Sequence, residues 1–173
     1  MEHKKLRIMT YTSIFTALVF LVTYFLPPIK LPGGYFNFSD SVIILCALIV
    51  GGKSAAFAGA IGASLADIAL GYTIFAPFTF VVKGIEGLIV GLISKNKSRR
   101  FRVIAVFTGG LFMAIGYFLA EWLILPVVDD TFGSVVALSE LPFNLIQGIA
   151  NAAIALLLYE LIKKSNKNFN NLK

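Results

Sequence analysis

The sequence predicts an all-α integral membrane protein: six transmembrane helices in a single domain over residues 1–173, with both termini cytoplasmic. Three observations carry that reading. Hydrophobic residues make up 58% of the chain against 14% charged, and a mean hydropathy of +0.85 is too apolar for a water-soluble surface at this size. Six apolar stretches follow one another, most of them near the roughly 20 residues a helix needs to cross a bilayer. Thirteen of the fifteen Lys and Arg residues fall in four short segments, at every second boundary between those stretches. These are Lys4, Lys5 and Arg7; Lys53; Lys95, Lys97, Arg99, Arg100 and Arg102; and Lys163, Lys164, Lys167 and Lys173. The other boundaries hold Lys30 and collect Asp129, Asp130 and Glu140. Cationic loops are retained on the inner side, so the number of crossings is even.

The first span, about 8–26, follows a basic segment but has no small-residue cleavage site and ends at Pro27-Pro28, which marks a retained helix rather than a signal peptide. Ser13 and Ala17 give it a small-xxx-small pair. An outer segment from Pro27 to Ser39, rich in turn and aromatic residues, leads to a second span at about 40–52. That span is short for a lipid-facing helix and meets the third, about 54–70, through Gly51, Gly52 and Lys53 alone, so the two read as a tight, partly buried hairpin. In the third span Ala55, Gly59 and Ala63 recur every fourth position, as do Ala56, Ala60 and Ser64. The fourth, about 79–94, contains Gly87 and Gly91. Such stripes let helix backbones approach closely, within one molecule or against a partner. The fifth span covers about 103–125. A second outer segment, Val127 to Leu141, precedes the sixth at about 141–162.

Several functions are excluded on composition and motif. The net charge of +6 sits beside the spans with no aromatic-interleaved basic stripe, which fits membrane topology and not nucleic acid. Cys46 is the single cysteine and His3 the single histidine, so neither a disulfide framework nor a Cys/His metal centre is expected. No phosphate-binding loop, HExxH or serine nucleophile motif occurs. No catalytic residue, metal or cofactor is therefore assigned, and the chain is not read as an enzyme.

What remains is polar chemistry inside the spans. Lys83, Glu86 and Glu121 are costly there, by about 3 kcal/mol each, and such residues line a cavity or pair; Asp40 and Asp67 lie nearer the outer ends of their helices. Lys83 and Glu86, three apart on one helix face, either neutralise each other or present a donor and an acceptor to a solute. Asn144, Gln147 and Asn151 place three carboxamides on one stripe. They serve either as glue between helices or as a neutral recognition surface, since each amide both donates and accepts. By topology the amides, Lys83, Glu86, Glu121 and Trp122 share the outer half of the membrane. The expectation is one polar, aromatic-rimmed chamber open to the outside.

Two runs of residues then carry a resemblance. The first is Tyr35-Phe36-Asn37-Phe38-Ser39-Asp40 followed by Gly51-Gly52-Lys53. The second is Gly59-Ala60-Ile61-Gly62 leading to Ala66-Asp67-Ile68-Ala69-Leu70-Gly71-Tyr72, with Thr79 to Gly87 after it. Together they resemble the substrate-binding S component of energy-coupling factor vitamin transporters, of the riboflavin-transporter-like group and most like its hydroxymethylpyrimidine and pyridoxine carriers. The resemblance implies a high-affinity vitamin-binding subunit of a bacterial plasma membrane importer. Its partners would be an EcfT-like transmembrane coupling subunit, docked at Ser13 and Ala17, and two cytoplasmic ATPases. It also implies a binding site at Phe36, Asn37, Asp67, Tyr72, Lys83, Glu86, Glu121, Trp122, Asn144, Gln147 and Asn151. Glu86 would meet a ring amine or hydroxyl, Asn144 and Gln147 would read ring heteroatoms, and Trp122, Tyr72 or Phe36 would stack. Riboflavin carriers tend to have a Lys where this chain has Gln147, which weighs against a flavin. A stand-alone facilitator using the same chamber is the alternative, and a scaffold whose polar stripes only hold helices together is a third reading.

Overall fold

The computed structural model describes residues 2–26, 29–30, 35–96 and 98–165, with the backbone alone at 29, 30, 35, 36 and 96. The Pro27-Pro28 pair, Pro32 to Gly34, Lys97, Lys167 and Lys173 lie outside the described residues.

Six helices form the body: α1 Glu2–Phe25, α2 Ser39–Ile49, α3 Gly52–Leu70, α4 Ala76–Ile93, α5 Arg99–Leu119 and α6 Ser134–Ser165. A 3-10 turn, Ser94–Asn96, follows α4. After α5 the chain continues through a π-helical turn, Ala120–Ile124, and a 3-10 turn, Leu125–Val127. Between α1 and α2 a two-residue antiparallel ladder, β1 (Ile29–Lys30) with β2 (Tyr35–Phe36), pairs Ile29 with Phe36 and Lys30 with Tyr35. Among the described residues five segments are long and apolar enough to cross a membrane: α1, α3, α4, Arg99–Val127 and α6. Their outward surface is apolar, with Met9, Phe57, Leu92, Leu111, Ile149 and Leu157 all exposed.

The sixth, α2, has 11 residues, and nine of them are buried. It is sheathed by α1, α3, α4 and α6. A helix with apolar residues on every side is stable only inside such a sheath, and Ile43, Ile44 and Leu48 form the centre of the core with Val19, Val90, Val106 and Ala55.

Glycines set how closely the sheath draws in. A Cβ on Gly91 would stand 2.1 Å from the Cα of Gly52, and one on Gly87 would stand 2.6 Å from the carbonyl carbon of Ala55, so α3 and α4 meet backbone to backbone. Gly110 and Gly148 do the same for α5 and α6, at 2.8 and 2.7 Å. Gly51, at φ +126°, makes the reversal from α2 into α3 that only glycine adopts without strain.

Two segments depart from the sequence expectation. The sixth helix starts at Ser134, not near 141, and runs through Pro142. Gly133 at φ +145° turns the chain and its carbonyl accepts the Ala137 N–H, which opens the helix early. Pro142 then deprives only the Leu138 carbonyl of its helical donor, a loss the helix tolerates. The outer segment after α5 is correspondingly compact. Asp129 accepts the Thr131 N–H at 2.9 Å and its hydroxyl at 2.7 Å, and these bonds hold the Asp129 carboxyl below its usual range.

The helix ends sort into two groups. At one end a groove gathers Lys4 and Arg7 of α1, the α2–α3 turn at Gly51, and Gly91, Ser94 and Lys95 at the close of α4. Nearby, Arg102 donates to Glu160 at 3.2 Å and covers the Tyr159 ring at 5.1 Å. The opposite end holds a cavity lined by polar and aromatic residues.

Candidate functional site

That cavity leaves about 40 Å³ open, well below the roughly 300–1,000 Å³ common for small-molecule sites, so its walls must give way to seat a solute. It is lined by Asn37 before α2; Ala63, Asp67 and Tyr72 from the end of α3; Phe75, Thr79 and Lys83 from the start of α4; Tyr117 and Glu121 from the end of α5; and Glu140, Asn144 and Gln147 of α6.

Its floor is a hydrogen-bonded clamp between the segment entering α2 and the amide stripe of α6. The Asn37 N–H donates to Gln147 Oε1 at 2.9 Å, and the Asn37 carbonyl accepts from Asn151 Nδ2 at 3.0 Å. Asn151 Oδ1 takes the Ser41 N–H at 3.1 Å. Asn37 Oδ1 in turn accepts from both the N–H and the hydroxyl of Ser39, at 2.9 and 2.6 Å, an Asx-type turn that leads into α2. The buried N–H and carbonyl of Asn37, which no helix satisfies, are thus met by side-chain amides.

Lys83 is almost wholly buried and forms an ion pair with Asp40, whose second oxygen accepts from Gln147 Nε2 at 2.8 Å. The ammonium also lies 5.2 Å from the centre of the Tyr117 ring, and the Tyr117 and Thr79 hydroxyls share a hydrogen bond at 3.0 Å. Glu86 stands 3.7 Å from Lys83 Nζ, and neither of its oxygens has a hydrogen-bond partner among the described residues. At the mouth, Gly71 at φ +87° ends α3 and the Tyr72 N–H bonds back to the Asp67 carbonyl at 2.8 Å, which turns Tyr72 over the cavity. Phe75 meets Phe132 edge to face at 5.4 Å.

Of the residues singled out in the sequence, Asn37, Asp67, Tyr72, Lys83, Glu121, Asn144 and Gln147 share this cavity. Three do not line it. Glu86 lies one turn further along α4, against α5 near Gly109 and beside Lys83. Asn151 is fully buried within the clamp. Trp122 is 46% exposed on the outer surface beside Phe118. Phe36 is placed by its backbone in β2, and its side chain lies outside the described residues. The stripe of amides therefore divides. Gln147 and Asn151 hold the chain, while the Asn144 amide bonds no protein group among the described residues and faces the cavity.

Phe75, Thr79, Tyr117 and Glu140 also line the cavity, and the sequence reading did not name them as site residues. A signal was there. Each stands four residues from another lining residue on its helix, Thr79 before Lys83, Phe75 before Thr79, Tyr117 before Glu121 and Glu140 before Asn144, which is the spacing of one helix face. Asp40 was noted in the sequence but not assigned to the site. Among the described residues no group of His, Cys, Asp or Glu is arranged to hold a metal ion.

Ser13 and Ala17 both lie exposed on α1, the most peripheral of the helices, which buries only Phe15, Val19 and Thr23. Their small side chains leave that face open to close approach.

Comparison with known proteins adds three matches. A family model described as "ECF-type riboflavin transporter, S component" matches residues 3–164. An uncharacterized protein of Pyrococcus woesei, named for the gap 3' region, is 34% identical over 138 residues, covering 79% of this chain and 88% of its own length. The thiamine precursor transporter HmpT of Lactococcus lactis subsp. cremoris (strain MG1363) is 25% identical over 167 residues, covering 95% of this chain and 93% of that one.

Proposed function

The chain belongs to the family of ECF-type riboflavin transporter S components, a family of membrane transport proteins, and from that premise we propose that it captures a water-soluble vitamin precursor for import, hydroxymethylpyrimidine or pyridoxine before riboflavin. The observation that carries this reading is the Asn144 amide. It is buried, faces a cavity walled by Tyr72, Phe75 and Tyr117, and bonds no protein group among the described residues while its neighbours in the stripe are bonded. An amide with a donor and an acceptor to offer, beside aromatic faces, suits one small heteroaromatic ring. Support also comes from the name of the HmpT relative, whose printed function is transport of a thiamine precursor.

In this reading the cavity opens to the outside of a bacterial plasma membrane, because the cationic segments gather at the opposite helix ends. Both termini then lie in the cytoplasm. Capture is passive, and uptake is driven by an EcfT-like coupling subunit that docks on the face of α1 bearing Ser13 and Ala17, with two ATPases behind it. Asp67 and Lys83 shape the polar wall, and Tyr72 or Tyr117 stacks on the ring.

The test is thermal stabilisation of the purified chain in detergent against a panel of vitamins and precursors. A ligand at 100 times its dissociation constant adds about 2.7 kcal/mol to the folded state, and Asn144→Ala removes most of that gain. A panel in which nothing shifts the transition refutes the carrier reading. Uptake into cells that lack the coupling subunit and ATPases would identify a stand-alone facilitator instead.

A further inference from the structure

A second hollow lies at the helix ends away from the solute cavity, with about 310 Å³ open, several times the space left in the cavity itself. Lys4, Arg7 and Ile8 of α1 line it, together with Ser94 and Lys95 at the close of α4 and the buried last turn of α2. Among the described residues no Asp or Glu lines it, and Lys4, Arg7 and Lys95 make no ion pair and no hydrogen bond. Arg102, by contrast, is held by Glu160.

Membrane topology alone places cations at these helix ends. It does not aim cations from separate helices at one hollow. Lys4 and Arg7 stand three apart on one face of α1, and Lys95 comes from the 3-10 turn after α4. Helix ends add partial charges of their own. Here α2 and α4 finish and α3 begins, and at about half an elementary charge per end these offset no more than about one of the three positive charges. A surplus of about two positive charges therefore faces the hollow. The buried Ser94 hydroxyl, whose contact with the Gly91 carbonyl is long at 3.4 Å, adds a neutral donor. Apolar surface starts where the cations stop: Ile8 lines the hollow and is exposed, as are Met9 beside it and Leu92, three residues before Lys95. An anion that also carries hydrocarbon covers both parts, whereas a soluble anion or an acidic peptide would leave the apolar rim bare.

We propose that this hollow binds the phosphodiester headgroup of an anionic phospholipid from the leaflet on this side of the membrane. Arg7 and Lys95 pair with the phosphate oxygens, Lys4 adds attraction from further out, and Ile8 and Leu92 meet the first carbons of the acyl chains. The planar fork of an arginine matches two phosphate oxygens at once, and basic hollows between membrane helices hold such headgroups. Nothing in the site depends on which solute the opposite cavity takes.

The test is thermal unfolding of the purified chain in dodecylmaltoside micelles titrated with dioleoylphosphatidylglycerol, with dioleoylphosphatidylcholine and with sn-glycerol 3-phosphate. Phosphatidylglycerol is expected to raise the midpoint saturably and the other two to leave it near its starting value. Arg7→Gln with Lys95→Gln is expected to raise the half-maximal lipid concentration about tenfold or more; Lys4→Gln with Lys95→Gln carries the same test should the first pair not fold. Lys163→Gln with Lys164→Gln, which removes two cations outside the hollow, is expected to leave the titration unchanged. Equal stabilisation by phosphatidylcholine, or equal losses in the hollow and control pairs, means a diffuse surface charge and overturns the proposal. Stabilisation by sn-glycerol 3-phosphate that matches the lipid overturns it in favour of a soluble anion. No response to phosphatidylglycerol in the folded wild type overturns it and leaves an acidic protein surface as the occupant. Each of these outcomes leaves the carrier reading as it stands.

Discussion

Replacing Lys83 with Met tests the buried charge cluster beneath the cavity. Asp40 and Glu86 are both fully buried, and Lys83 is the ammonium between them. Methionine keeps the length and much of the volume of the side chain, so the change removes charge more than bulk. It leaves Asp40 with Gln147 Nε2, at 2.8 Å, as its remaining side-chain donor and leaves Glu86 with no cation. Removing one partner of a buried pair costs about 3–5 kcal/mol, whereas removing both charges together is often close to neutral. For a chain of this size each kcal/mol moves the thermal midpoint by about 2–4 °C, so Lys83→Met should lower it by roughly 6–20 °C. Asp40→Asn added to Lys83→Met should recover a large part of that loss. The assay is thermal unfolding in detergent for the wild type, both single variants and the double variant, followed by the fluorescence of Trp122. A fall below about 2 °C for Lys83→Met, or a double variant whose loss equals the sum of the singles, would refute the account of Lys83 as the counter-charge to Asp40.

Two further outcomes are expected. Gly91→Ala should reduce the folded yield and lower stability by about 1–3 kcal/mol or more, because its Cβ would stand 2.1 Å from the backbone of Gly52 and α3 and α4 would have to separate; wild-type stability would mean the two helices are not in contact there. Trp122→Ala should leave solute affinity within about twofold, while Tyr117→Ala should weaken it about tenfold, the worth of a stacked ring; titration of both variants checks the pair.

Much of this arrangement was legible in the sequence because depth follows from topology. Once the charged segments fixed which way each helix runs, Lys83, Glu121, Asn144 and Gln147 had to share a level. Which face each residue occupies was harder. Neighbouring residues on a helix project about 100° apart, so Glu121 and Trp122 could not both face inward, and it is the acid that does. The partner of Lys83 was hidden for a different reason. Glu86 is three residues away and Asp40 is 43, and local spacing says nothing about a helix that is folded in between. The early start of α6 escaped notice because Pro142 suggests a first turn, while the turn is set by Gly133. The division of labour among the three amides depends on where the Asn37–Ser41 segment crosses α6, which is a tertiary fact.

The shortness of α2 has a consequence for how a solute could cross. Its 11 residues rise about 16 Å from the clamp at Asp40 to the turn at Gly51, roughly half the thickness of a hydrocarbon layer. A solute seated above Asp40 has therefore already descended about half the membrane. Below it stand Ile43, Ile44, Leu48, Val90 and Val106, bounded by α3 and α4 touching at Gly52 and Gly91. Those side chains pack in one core, and on the α3–α4 side the contact behind them is main chain on main chain, with no side chain there to swing aside. A path from Asp40 to the far side through this layer would therefore require whole helices to part.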